Sequence, residues 1–233
     1  MAAELALASL RFLFQCSFRS AGSATSARAA WMQHTAGRLL RIFATETRVI
    51  GPIPAHGLLI SNHLSYLDVI VLGSLTPSVF VARHDVKSWP VFGWLASLAG
   101  TVYVNRERRA QVGQVADQMQ TVLAAGVLVI LFPEGTSSDG KSVLPFKSSL
   151  LEPATQPTHP LAVVRIQYEL DDGDVAEEVC YWKDMTFFPH LLNLLTKRRV
   201  RATVRFVPVN ERSADRKELA RQLHAAISQL NAG

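Results

Sequence analysis

The chain has 233 residues, 48% of them hydrophobic and 18% charged, with a formal net charge of +5. That size suits one α/β domain with a sizeable core, and the apolar share excludes a disordered chain. Two cysteines without metal spacing exclude a disulfide framework and fit a reduced, cytosolic setting; no internal repeat is present. A basic surface suits nucleic acid, anionic lipid or an acidic carrier protein. The interleaved aromatics of nucleic-acid modules are missing, so no nucleic-acid partner is expected.

From the N-terminus, residues 5–45 hold no Asp or Glu but carry Arg11, Arg19, Arg28, Arg38 and Arg41. Residues 5–15 are apolar, broken by Ser9 and Arg11, and residues 20–30 read as a Ser/Ala/Gly-rich linker. Met32, Ala36, Leu39, Leu40 and Phe43 fall on one face of a predicted helix. That stripe has two readings: it lies in a membrane interface, drawn by anionic lipid, or it packs on the domain core. The acid-poor composition also resembles an organelle transit peptide. No run approaches the ~18 apolar residues of a spanning helix.

Leu58-Leu59-Ile60 reads as a buried strand, and Val69-Ile70-Val71-Leu72 as the apolar face of a helix that follows it. Between them lie His63 and Asp68. On one continuous helix their five-residue spacing would turn them apart by roughly 140°. They meet only if His63 sits in the turn before the helix and Asp68 in its first turn, with Ser65 as N-cap. A histidine, of free pKa ~6.5, can then accept a proton while the carboxylate orients its ring. The structural alternative uses the same residues: Ser65 and Asp68 form a near capping box.

Next come His84-Asp85, read as capping the turn before Trp89-Pro90, and a short strand, Gly100 to Val104, ending in Asn105-Arg106. Arginine there suits a phosphate or carboxylate. Val112, Val115, Met119, Val122 and Leu123 mark a helix closed by Gly126. Val127 to Phe132 reads as a central parallel strand, placing Glu134 at its C-terminal end, where open α/β sheets keep their sites. Gly135 to Ser142 also satisfies the P-loop pattern, but Pro145 interrupts the helix such a loop requires. Phe187 to Leu195 is an apolar stretch before Lys197-Arg198-Arg199, suited to a bilayer or to core packing. Val200, Ala202, Val204 and Phe206 alternate with polar residues as a half-exposed edge strand, and Ala214 to Leu230 reads as the last helix.

Asn62-His63-x4-Asp68, Gly100 through Arg106, Phe132-Pro133-Glu134-Gly135-Thr136 and Pro160-Leu161-Ala162-Val163 together resemble the four ordered blocks of the glycerolipid acyltransferase family, whose type is 1-acylglycerol-3-phosphate acyltransferase. The resemblance implies that His63 is a general base on a lysolipid hydroxyl and that Asp68 orients it. It implies acceptor binding by Arg106, Glu134, Gly135 and Thr136, with Pro160 to Val163 along an apolar acyl channel. It implies acyl-CoA or acyl-ACP as co-substrate, with no bound cofactor and no metal. Many relatives carry Arg directly after the Gly-Thr; here Ser137 stands there, and Lys141 or Lys147 can substitute. A small hydroxyl residue at that place resembles acyltransferases acting on lyso-ornithine lipids, whose head group lacks phosphate. Both acceptors stay open.

The expected organisation is a helical membrane-associating segment over residues 1–45 and an α/β acyltransferase domain over 46–233. Its sheet is mixed and mostly parallel, flanked by helices. The chain is expected on the cytoplasmic face of a membrane, without spanning it. Rival readings are a P-loop ATPase or kinase and a noncatalytic membrane-binding protein.

Overall fold

A computed structural model describes residues 21–89, 91–105 and 110–230. The apolar run at 5–15 and Arg106 lie outside the described residues. Seven strands form one sheet: β1 (Thr45–Ile50), β2 (Gly57–Ser61), β3 (Ser78–Arg83), β4 (Val102–Val104), β5 (Leu128–Leu131), β6 (Leu161–Leu170) and β7 (Val200–Pro208), in the order β1-β7-β6-β2-β5-β3-β4. All neighbouring pairs are parallel except β6 with β7. The sheet is therefore mixed and mostly parallel, as its uninterrupted apolar strands predict.

Helices cover both faces. On one lie α1 (Ala21–Ile42), α2 (Tyr66–Leu75) and, after the short α6 (Val175–Glu178), α7 (Phe187–Leu195); they share a core with Leu59, Leu128, Ile130, Val164 and Ile166. On the other lie α4 (Ala110–Ala124), the single turn α5 (Glu152–Thr155) and α8 (Arg216–Gln229), packed on Leu58, Ile60, Val129, Leu131 and Val163. Alternate residues of β2, β3, β5 and β6 thus feed opposite cores. A short α3 (Phe92–Leu98) follows the 3₁₀ turn His84–Ser88.

The α1 stripe takes the core-packing course: Ala36, Leu40 and Phe43 are buried, with Met32 and Leu39 packed against the same cluster. At Gly73 of α2 a Cβ would stand 2.8 Å from Met32 Cε, so the tip of that methionine would have to shift. No helix among the described residues is long and apolar enough to cross a membrane.

Four expectations change. Residues 21–30, read as part of a linker, form the first turns of α1. Residues 45–50 form a strand that the sequence reading left unassigned; its mixed burial gives no clean alternation. Strand β7 is not an edge strand: β1 and β6 bond it on both sides. Its polar side is only partly covered, and there Arg201 pairs with Glu169 and Asp171. Gly135 to Ser142 runs into irregular chain, reaching only the 3₁₀ turn Ser148–Leu150. Without a helix to face a phosphate chain, the P-loop reading loses its required element.

Phe43, 3% exposed, ties α1 to this core. Phe43→Ala should cost about 3 kcal/mol of stability, read as a lower midpoint in urea unfolding.

Candidate active site

Strand β2 ends at Ser61, and residues 62–65 turn the chain into α2. This turn is braced at nearly every polar group. Asn62 reaches sideways to β6, where Nδ2 donates to Ile166 O (3.0 Å) and Oδ1 accepts from Ile166 N (2.8 Å). The His63 amide donates to Glu134 Oε1 at 2.7 Å. The Leu64 and Ser65 amides donate to Asp68 Oδ2, at 2.6 and 3.0 Å. The carbonyls of His63 and Leu64 accept from Ser138 N and Tyr181 N, at 3.0 and 2.8 Å. A segment so tied has little freedom to move.

The predicted His63–Asp68 meeting occurs by the predicted route, across the junction of turn and helix. His63 Nδ1 lies 2.8 Å from Asp68 Oδ2. Asp68 has no exposed surface, and its second oxygen accepts from Tyr168 OH at 2.7 Å. Because the carboxylate accepts, Nδ1 carries the proton and Nε2 is left as the basic nitrogen. The ring stacks on Phe132, with centroids 4.2 Å apart and planes 22° from parallel. One bond is therefore a hydrogen bond and one contact a flat wall; together they fix the ring's plane and tautomer. The capping alternative also holds in part. Asp68 does cap the helix start, whereas the Ser65 hydroxyl is buried without a partner.

His63 lines a cleft of about 340 Å³ beyond the C-terminal ends of β2, β3 and β5. Its apolar walls include Val69, Phe80, Val86, Trp89 and Phe132. Gly135 and Thr136 line it too. Gly135 takes φ 77°, a conformation that favours glycine and lets the chain turn sharply after β5. Pro160 to Val163, expected along an acyl channel, lie elsewhere. Leu161 to Val163 pair with β2 inside the sheet and are buried in its two cores, because a central strand has no face free for a ligand.

Glu134 is 2% exposed and faces inward. Its second oxygen accepts from Leu144 N at 2.8 Å, so both oxygens hold backbone. Burial pushes its carboxyl up to about 7, against the pull of those two amides. Ser137 donates its hydroxyl to Tyr181 O, so it links the turn after β5 to the segment before α7. Of the two lysines weighed as cations, Lys147 lines a hollow beside the cleft, while exposed Lys141 lies near Asp139 at another surface. No cluster of three or more His, Cys, Asp or Glu suited to a metal occurs among the described residues.

Sequence reasoning missed the roles of Asn62, Tyr168 and Phe132. Asn62 and Phe132 sit in recognisable motifs, just beyond β2 and β5. Tyr168 reaches Asp68 across a hundred residues of sequence, and nothing local marks it.

A mostly parallel α/β sheet here presents a carboxylate-held imidazole to a largely apolar cleft, an arrangement suited to proton transfer. The Acyltransferase family profile matches residues 46–167, more than half of the chain. The chain belongs to that acyltransferase family. It is 37% identical over 187 residues to the lyso-ornithine lipid O-acyltransferase of Rhizobium meliloti (strain 1021), covering 74% of this chain and 64% of the relative. The chain thus spans slightly under two thirds of that relative's length. It is 34% identical over 208 residues to the lyso-ornithine lipid O-acyltransferase of Brucella abortus (strain 2308), covering 82% and 77%. A 1-acyl-sn-glycerol-3-phosphate acyltransferase of Neisseria gonorrhoeae is 33% identical over 144 residues, covering 57% and 56%. Among solved structures, the 1-acyl-sn-glycerophosphate acyltransferase PlsC of Thermotoga maritima shares the fold, with a TM-score of 0.63 at 19% identity over 95% of this chain and 88% of that one.

Glu134→Gln should cost about 1–3 kcal/mol, since the two backbone N–H groups bond different oxygens and one of them would then face an amide NH2, which cannot accept. The folded carboxyl, raised from 4.5 to about 7, holds its proton more tightly than the unfolded one. Its contribution is full below pH 4.5 and is lost as pH rises through about 7. The stability gap between wild type and variant should narrow across that window in urea titrations.

Proposed function

We propose that this chain moves a fatty acyl group from acyl-CoA or acyl-ACP to the free hydroxyl of a lysolipid. The observation that carries the reading is the 2.8 Å contact of His63 with buried Asp68 at the wall of an apolar cleft. His63 Nε2 takes the hydroxyl proton as the acceptor oxygen attacks the thioester carbonyl. The tetrahedral adduct collapses, the C–S bond breaks, and the departing thiolate recovers the proton from the imidazolium. Asp68 orients the ring and offsets its positive charge. Glu134 and Asn62 position His63 through its backbone. Gly135 and Thr136 border the acceptor, and Arg106 is assigned to its head group.

A lyso-ornithine lipid is the favoured acceptor. The relatives so named match more of this chain than those named for glycerol phosphate. Ser137 serves as a backbone staple and brings no cation. A 1-acylglycerol-3-phosphate is the second candidate.

The reaction is placed at an anionic bilayer, on the cytoplasmic side where the thioester donors are found. Helix α7 turns Phe188, Leu192 and Leu195 outward, at i, i+4 and i+7. Exposed Lys183 and Arg198 flank that helix in sequence. Its first ring, Phe187, packs on Trp89 and Tyr181 of the cleft wall, so an apolar surface runs toward the cleft. Membrane association by residues 1–45 remains part of this reading.

His63→Ala should keep its fold and lose about 10³-fold in turnover, read as thioester release with a lysolipid panel. Lys141→Ala should stay near wild type. Wild-type turnover in folded His63→Ala, or no transfer by the wild type, would overturn the reading.

Replacing Phe188 and Leu192 together by Asp should weaken sedimentation with anionic vesicles at least about tenfold. Turnover on short-chain, soluble substrates should be retained.

A further inference from the structure

A second hollow, of about 400 Å³, adjoins the catalytic cleft. Arg83 from the end of β3, Asp85 from the turn after it, Asn105 beyond β4, and Lys147 line it. Arg83, Asp85 and Gly135 belong to both linings, so one space opens into the other. Among the described residues the hollow thus presents two cations, Arg83 and Lys147, one carboxylate, Asp85, and the His84 ring to the same volume. Arg83 Nε donates to Asp85 Oδ1 at 3.0 Å, with both side chains more than half exposed. Such a pair contributes little to the fold. The Asp85 side chain is 54% exposed, so its carboxylate is within reach of a ligand.

That charge pattern is poorly matched to a phosphate. A dianion gains from cations alone, and a carboxylate beside it repels it. An amino acid with two amines, one of them acylated, has the complementary pattern: one carboxylate and one free ammonium. Resting on the acyl-transfer reading above, we propose that this hollow holds the zwitterionic head group of an N-acylated ornithine. Its carboxylate meets Arg83 and Lys147, and its ammonium meets Asp85. The acyl chain bearing the hydroxyl then passes Gly135 into the cleft beside His63. Asp85 is the residue that discriminates, because it rewards the ammonium and penalises a phosphate.

A cycle combining substrate and protein changes tests this. Wild type and Asp85→Asn are compared on lyso-ornithine lipid, on the same lipid with its free amine acetylated, and on 1-acylglycerol-3-phosphate. In wild type, acetylation should lower kcat/KM about fivefold, mainly through KM. In Asp85→Asn the same change should cost less than about twofold, and use of the phosphate acceptor should rise. A purely structural role for Asp85 would lower all three acceptors alike. An equal acetylation penalty in both proteins would overturn the proposal. So would a wild type that acylates 1-acylglycerol-3-phosphate but not the ornithine lipid, a result that leaves the acyl-transfer reading standing. A wild type that acylates none of the three would remove both.

Discussion

Asp68 puts a carboxylate where no solvent reaches, and such a group is tolerated only when its oxygens are filled by donors. Four donors converge on it: two amides of its own turn, the Tyr168 hydroxyl from β6, and the His63 ring. Removing any one leaves a buried acceptor short of a partner. The same bonds that make the burial tolerable also point the imidazole. Preorganisation of the proton acceptor and stability of the turn are therefore one requirement.

The sheet decides where this turn can be. Strands β2, β3 and β5 run parallel and end at the same side, so their loops gather around one cleft. Two chemically different spaces meet there. One is walled by aromatic and aliphatic side chains and suits an acyl chain. The other is charged and suits a head group. Gly135 borders both, at the point where the chain leaves β5.

Much of this was legible in the sequence, for identifiable reasons. Fully buried parallel strands need continuous apolar runs, which betrayed β2 and β5. The five-residue interval from His63 to Asp68 allows few geometries, so their meeting could be deduced. Long-range partners leave no such mark. Tyr168 looks like any aromatic in an alternating strand, and its hydroxyl finds Asp68 only through the register of β6. Strand β1 hides because its residues alternate poorly. Strand β7 misled because a wet face suggests an edge, whereas sheet order alone decides edges. Asp85 read as a cap. Its place in the hollow depends on β4 and the turn after β5, which no local pattern specifies. The apolar Pro160 to Val163 resemble channel lining in sequence because buried and ligand-facing greasy residues have the same composition.

Strand β6 continues past the last residue of β2; there Asn62 bonds Ile166 on one side and β7 pairs along the other, with Ala202 opposite Tyr168. During synthesis His63 and Asp68 emerge long before either strand. Until β7 pairs with β6, the strand that carries the Tyr168 hydroxyl lacks its neighbour on that side. Completion of the carboxylate's shell is thus tied to assembly of the sheet, and through β6 to its last strand in sequence.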